Sequence, residues 1–168
     1  MLTTPKALTP DQRRPTLSDA LAHAPFINAG TPEADALHDD AQALSRYVQE
    51  ILDDNSAQDI LEIDIRGKSS VADYMIVASG RSNRHVGALS DYVLRGLKQA
   101  GFKDIGTEGQ DGQDWVLIDG GDVILHIFRP EVRVFYNLEK IWSVPLPDGL
   151  RGVAERSPDE STPNESRE

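Results

Sequence analysis

The run Tyr74-Met-Ile-Val-Ala78 is almost continuously apolar, and no other segment constrains the fold as tightly. Side chains alternate between the two faces of a strand, so an unbroken apolar run puts large groups on both and both must be covered. The run breaks at Ser79-Gly80. A polar, basic turn follows, Arg81-Ser-Asn-Arg-His85, and it launches a helix. A turn of that composition is suited to holding an anion or to facing another macromolecule.

The surrounding elements follow from period and punctuation. Thr31-Pro32-Glu33 is a helix start: a hydroxyl cap, a proline at the first helical position and an acid near the positive end of the dipole. Leu37, Ala41, Leu44, Val48 and Ile51 then recur at helical spacing, which predicts one amphipathic helix ending near Asp53-Asp54-Asn55. In 60–65, Leu61, Ile63 and Ile65 alternate with Glu62, Asp64 and Arg66, the pattern of a strand with one wet face. Ser82 caps the second predicted helix, Val86, Leu89, Val93 and Leu97 point inward from it, and Gly101 closes it. A short strand is expected over 102–106. Runs 115–118 and 123–128 flank Asp119-Gly-Gly-Asp122, a hairpin signal. Pro130 opens a last short helix whose inward positions are Val132, Phe135, Leu138 and Trp142. The order α-β-β-α-β-β-β-α predicts an α/β fold, a mixed five-stranded sheet with helices packed on it.

Composition narrows the rest. Residues 1–30 and 145–168 are rich in proline and poor in large apolar groups, so they are expected to be disordered tails, the second acidic, around one domain at 31–144. The formal net charge is −11, and from Glu33 to Asp64 ten carboxylates face a single base, Arg46. That field opposes non-specific binding to a phosphate backbone and favours a basic protein partner. Basic residues recur at Arg81, Arg84, Arg95, Lys98 and Lys103, and again at Arg129, Arg133 and Lys140, which leaves an RNA contact through one of those patches open. The chain has no cysteine, which excludes disulfides and thiolate zinc sites. No apolar run has the length needed to span a bilayer, and Asp19, His23 and Pro25 interrupt any signal-peptide core. The expected location is cytoplasmic, with no membrane partner and no cofactor. The basic, hydroxyl-rich amino terminus leaves a transit peptide open.

Seven phrases in order resemble the ribosomal silencing factor family, also called RsfS or Iojap. They are Asp64-Ile-Arg-Gly-Lys-Ser-Ser70, Asp73-Tyr-Met-Ile-Val, Ser79-Gly-Arg-Ser-Asn-Arg-His85, Glu108-Gly, Asp114-Trp-Val-Leu-Ile-Asp119, Gly121-Asp-Val-Ile-Leu-His126 and Tyr136-Asn-Leu-Glu-Lys-Ile-Trp142. The match covers about 44–142. Val71-Ala72 stands where the family often has Ile-Thr, and Ser79-Gly80 where it usually has Thr-Gly. The resemblance implies a domain related to nucleotidyltransferases but used for binding, without the catalytic acids. It implies docking on ribosomal protein fourteen of the large subunit, where the protein blocks joining of the small subunit when nutrients are scarce. By position it implies that Trp115, Asp119 and Tyr136 are contact residues.

Each constellation also has a plainer reading. Trp115 shares a strand face with Leu117, opposite Val116 and Ile118, and is either an interface anchor or a core residue beneath a helix. Tyr136, Glu139 and Lys140 on the final helix are either contacts or a solvated face. Ser79, Arg81, Arg84 and His85 form either an anion or RNA contact or a helix-capping turn. Glu62 and Asp64 share a strand face that could hold magnesium for nucleotidyl transfer. Their order relative to Ser79-Gly80 opposes that, and no later strand repeats an acid-x-acid pair. His126, in an apolar strand, reads as a hydrogen-bonded interior histidine. No metal site is expected. The alternative to a translational repressor is therefore a nucleotide-binding or nucleotidyl-transferring enzyme, and a third reading is a homodimer formed through the aromatic patch.

Overall fold

Five strands form one mixed sheet in the order β1-β2-β5-β4-β3. The computed structural model describes residues 27–142, 144–145 and 147–154. The strands are β1 (Gln58–Asp64), β2 (Tyr74–Ser79), β3 (Gly106–Glu108), β4 (Trp115–Asp119) and β5 (Val123–Phe128). The helices are α1 (Pro32–Asp39), α2 (Ala41–Asp54), α3 (Asn83–Gln99), α4 (Pro130–Tyr136), α5 (Leu138–Ile141) and α6 (Asp148–Ala154). The two apolar runs, β2 and β5, lie side by side in parallel at the centre, with every residue of both buried. β1 joins β2 antiparallel, and β4 and β3 extend the sheet antiparallel beyond β5.

The sheet has a core on each side. Leu44, Val48 and Ile51 of α2 and Val86, Leu89, Val93 and Leu97 of α3 cover one face, against Ile76, Ala78, Val116, Ile118, Leu125 and Ile127. The other face carries Ile63, Ile65, Met75, Val77, Ile124 and Phe128, and it is only partly covered, by Val132, Leu138, Trp142 and Val144. Alternation in β4 sorts Val116 and Ile118 to the first face and Trp115 and Leu117 to the second.

Several expectations need correction. The predicted first helix is two helices. Asp40 leaves helical geometry at φ −131° and ψ 107°, and its side chain caps α2 by accepting from Gln42 N at 2.9 Å. The third strand begins at Gly106, four residues later than expected, and runs to Glu108. The domain also extends past both expected boundaries. Ile27 packs against the core, its N–H donating to the Tyr47 hydroxyl at 3.4 Å, so the chain is docked before residue 31. At the other end 148–154 is helical and Leu150 is 1% exposed, because α6 packs on α4. The remaining parts of the two expected tails lie outside the described residues. Ser82 caps α3 as expected, accepting from His85 N at 3.1 Å.

Candidate functional site

On its less covered face β4 presents Trp115, and α4 brings Tyr136 beside it, the rings 4.8 Å apart at 43°. Trp115 also stacks on Phe128, its cross-strand partner, at 5.0 Å. Its indole Nε1–H donates to His126 Nδ1 at 3.0 Å. That bond leaves His126 its proton on Nε2, and burial pulls the imidazole pKa down to about 4. Trp115 is thus held from below by a neutral histidine and from the side by two aromatic rings, while one edge remains open to solvent.

Phe135 extends this surface. It is 79% exposed, Tyr136 is 51% exposed, and the two rings meet edge to face at 5.1 Å. Between α4 and β4 lies a groove of about 540 Å³ lined by the aromatic rings of Trp115, Phe135 and Tyr136, the acids Asp114 and Glu131, and Gly109, Gly112 and Val132. Gly109 has φ +81°, and a side chain there would strike the carbonyl oxygen of Trp115. Only glycine lets that loop close the groove against β4. The groove acids are partly neutralised from one side: Arg129 Nη1 meets Asp114 Oδ1 at 3.1 Å and Nη2 meets Glu131 Oε2 at 3.5 Å. An aromatic floor with an acidic rim can take an apolar or basic side chain from a partner.

The turn at Asn137 gives this surface its shape. Asn137 adopts the left-handed conformation, φ 43° and ψ 60°, and separates α4 from α5. Within α4 Arg133 takes the inward side and Phe135, expected inside, faces outward, while beyond the break Glu139, expected at the contact face, turns inward and is fully buried. There Glu139 Oε1 accepts from Arg133 Nε at 2.6 Å. Arg133 Nη1 in turn donates to Asp59 O at 2.7 Å and Ser79 Oγ at 2.9 Å. Asp59 sits at φ 50° in a bulge of β1, which aims its carbonyl at the guanidinium. One arginine therefore ties α4 to the ends of β1 and β2.

The other predicted site residues are more dispersed. Asp119 lies four residues along β4 from Trp115, and its Oδ1 accepts from Gly121 N at 2.9 Å, capping the hairpin turn. Lys140 is exposed on α5, as is Ile141, which the sequence reading did not single out. In the expected anion turn, Ser79 is fully buried and held by Arg133. His85 Nδ1 accepts from Arg81 N at 3.0 Å, so its Nε2 donates to Asn55 O at 3.0 Å. Both are structural here, whereas Arg81 and Arg84 stay exposed. Glu62 accepts from Ser45 Oγ and from Gln49 Nε2. The Arg66 guanidinium engages Asp64 at 2.6 Å and holds its carboxyl down to about 2. No cluster of three or more metal-ligating side chains occurs among the described residues. No helix among them is long and apolar enough to cross a membrane.

Residues 38–168 match the model of a family described as ribosomal silencing factor during starvation. The chain belongs to that family. Family membership makes it a ribosome-associated regulator of translation, a regulatory factor by the family's own description. The ribosomal silencing factor of Zymomonas mobilis is 48% identical over 103 residues, which span 61% of this chain and 77% of the relative. That of Haemophilus influenzae is 42% identical over 101 residues, 60% of this chain and 99% of the relative. A crystal structure of a Chromobacterium violaceum protein superposes with a TM-score of 0.62 at 42% identity, over 64% of this chain and 90% of that one. The silencing factor fold is thus a mixed five-stranded sheet with helices on it, as the sequence predicted.

Proposed function

We propose that this silencing factor acts by docking on the large ribosomal subunit through the groove between β4 and α4, with ribosomal protein fourteen as its partner. The observation that carries the reading is the aromatic cluster of Trp115, Phe135 and Tyr136, left open on the half-covered face of the sheet. Exposed aromatic groups in a rigid setting are the usual anchors of protein interfaces. Trp115 is rigid because its N–H is bonded to His126 and its ring is stacked on Phe128. The acidic charge of the chain, −11, favours a basic ribosomal protein over bare RNA at the same groove.

The mechanism is steric and non-enzymatic, and the protein works in the cytoplasm. A domain roughly 30 Å across, parked on the joining face, leaves no room for the small subunit. Trp115, Phe135 and Tyr136 supply the desolvated centre of the contact. Lys140 and Asp119 stand at its periphery, and Glu139 acts from inside by holding α4 in place. Trp115→Ala should weaken binding to isolated large subunits at least thirtyfold, on the order of 2 kcal/mol. It should equally lose the ability to prevent subunit association in sedimentation. Full retention of both by a folded Trp115→Ala protein would move the docking surface elsewhere.

A further inference from the structure

Arg46, Lys68 and Lys140 are exposed and outside the ion pairs seen among the described residues, but only around α3 do such bases cluster. Arg66, Arg129 and Arg133 sit in ion pairs. Arg81, Arg84, Arg95, Lys98 and Lys103 are all exposed, and none has a carboxylate partner among the described residues. All five lie on α3 or in the turns that flank it. At 100° per residue, Arg84, Ala88, Asp91, Arg95 and Lys98 fall within an arc of roughly 80°, opposite the buried Val86, Leu89, Val93 and Leu97. Asp91 is the single acid in that stripe. From Arg84 to Lys98 the stripe runs about 21 Å. The Arg95 guanidinium lies over the Tyr92 ring, 5.8 Å from its centroid, which steadies it.

A shallow groove of about 600 Å³ follows the second half of this stripe, lined by Asp91, Leu94, Arg95, Lys98, Gln99 and Gln110. Gln110 belongs to the loop whose Gly109 and Gly112 line the aromatic groove. The two grooves share that loop as a wall, one on the α3 side of the sheet and the other on the α4 side. In a chain of net charge −11, most of the surface repels a polyanion. The clustered cations of this ridge are therefore where one is best received.

We propose that the outer face of α3 is a contact for the phosphodiester backbone of RNA, using Arg84, Arg95 and Lys98 as phosphate ligands and the amides of Gln99 and Gln110 as neutral donors. The ridge is argued from its own charge and geometry. That the RNA is ribosomal rests on the docking reading above. A partner seated in the aromatic groove would then have its neighbouring RNA across the shared loop, and the two contacts together would fix the angle at which the domain stands on the subunit.

Two titrations test this with the full chain, each run across a series of salt concentrations. One uses isolated large ribosomal subunits and the other uses protein-free large-subunit RNA. The variants are Trp115→Ala, at a half-buried position, and a triple variant at three exposed positions, Arg84→Gln with Arg95→Gln and Lys98→Gln. Thermal melting confirms that each is folded. Each phosphate contact contributes about 0.7 to 0.9 to the slope of log affinity against log salt, so the triple variant should lose about two to three units of slope on both targets. Trp115→Ala should lose affinity for subunits with its slope unchanged, and should bind protein-free RNA like the parent. A triple variant that keeps its slope on both targets overturns the proposal. A loss of slope on subunits with none on protein-free RNA overturns it in favour of an acidic protein surface. Parent protein that ignores subunits yet binds protein-free RNA through the ridge sinks the docking reading and leaves the ridge standing.

Discussion

His126 is a neutral acceptor lying beneath the indole of Trp115, and that gives the aromatic groove a pH dependence of its own. Burial holds its pKa near 4 in the folded protein, whereas the unfolded chain returns it to about 6.5. The folded value is the lower one, so between those limits the unfolded state binds more protons. The contribution is therefore complete above about pH 6.5 and is lost as pH falls towards 4. Its ceiling is about 3 kcal/mol. Urea unfolding midpoints at pH 7, 5.5 and 4 should fall in step for the parent protein. His126→Gln, which retains an acceptor for Trp115 but cannot titrate, should show a visibly smaller decline than the parent over the same window. At this scale part of the geometry of the candidate groove was legible in the sequence. Alternation in β4 put Trp115 and Leu117 on one face, and the family phrases pointed to Trp115 and Tyr136. Glu139 was placed on the wrong side because helical spacing was extended through Asn137, whose left-handed backbone breaks the phase, and Phe135 because a buried arginine, Arg133, takes the inward side of α4.

The α4–α5 corner hangs on a buried ion pair. Arg133 and Glu139 are both 0% exposed, and Arg133 Nη2 and Glu139 Oε2 have no hydrogen-bond partner among the described residues. Removing one member leaves a charge in an apolar setting, so Glu139→Ala should destabilise the protein by about 3–5 kcal/mol in chemical denaturation. Replacing both, Arg133→Met with Glu139→Leu, should recover most of that loss, since hydrophobic side chains of similar volume often substitute for a buried pair at little cost. If the double variant is no better than the single one, the bonds to Asp59 O and Ser79 Oγ are what hold the corner. α6 offers a separate test. Leu150 is buried against α4, so Leu150→Asp should undock α6 and raise amide exchange in 130–136 while the central strands stay protected. Proline-rich composition gave no sign of this short helix. It forms at the C-terminal end because Leu150 finds an apolar seat, which composition does not reveal.

For the whole molecule, the acids and the buried serine named for a nucleotide enzyme each have a partner within the fold. Glu62 is tied to α2, Asp64 to Arg66, and Ser79 to Arg133. Calorimetry with magnesium nucleotides should show no saturable heat, and saturable binding abolished by Arg84→Ala would restore the enzyme reading. The mixed sheet was legible because its central run is apolar at every position and its hairpin carries a Gly-Gly centre. The strand order was not, since a parallel pairing between β2 and β5 leaves no local signal. That pairing has a kinetic consequence. Tyr74 and Val123 are register partners although a helix and two strands separate them in sequence. Contacts this remote form slowly, after local helices and hairpins. The strand that seats the tryptophan pairs with β5, and β5 is complete only when it has zipped to β2. A half-folded copy therefore has no finished groove, and the aromatic surface comes into being only at the end of the chain's own maturation.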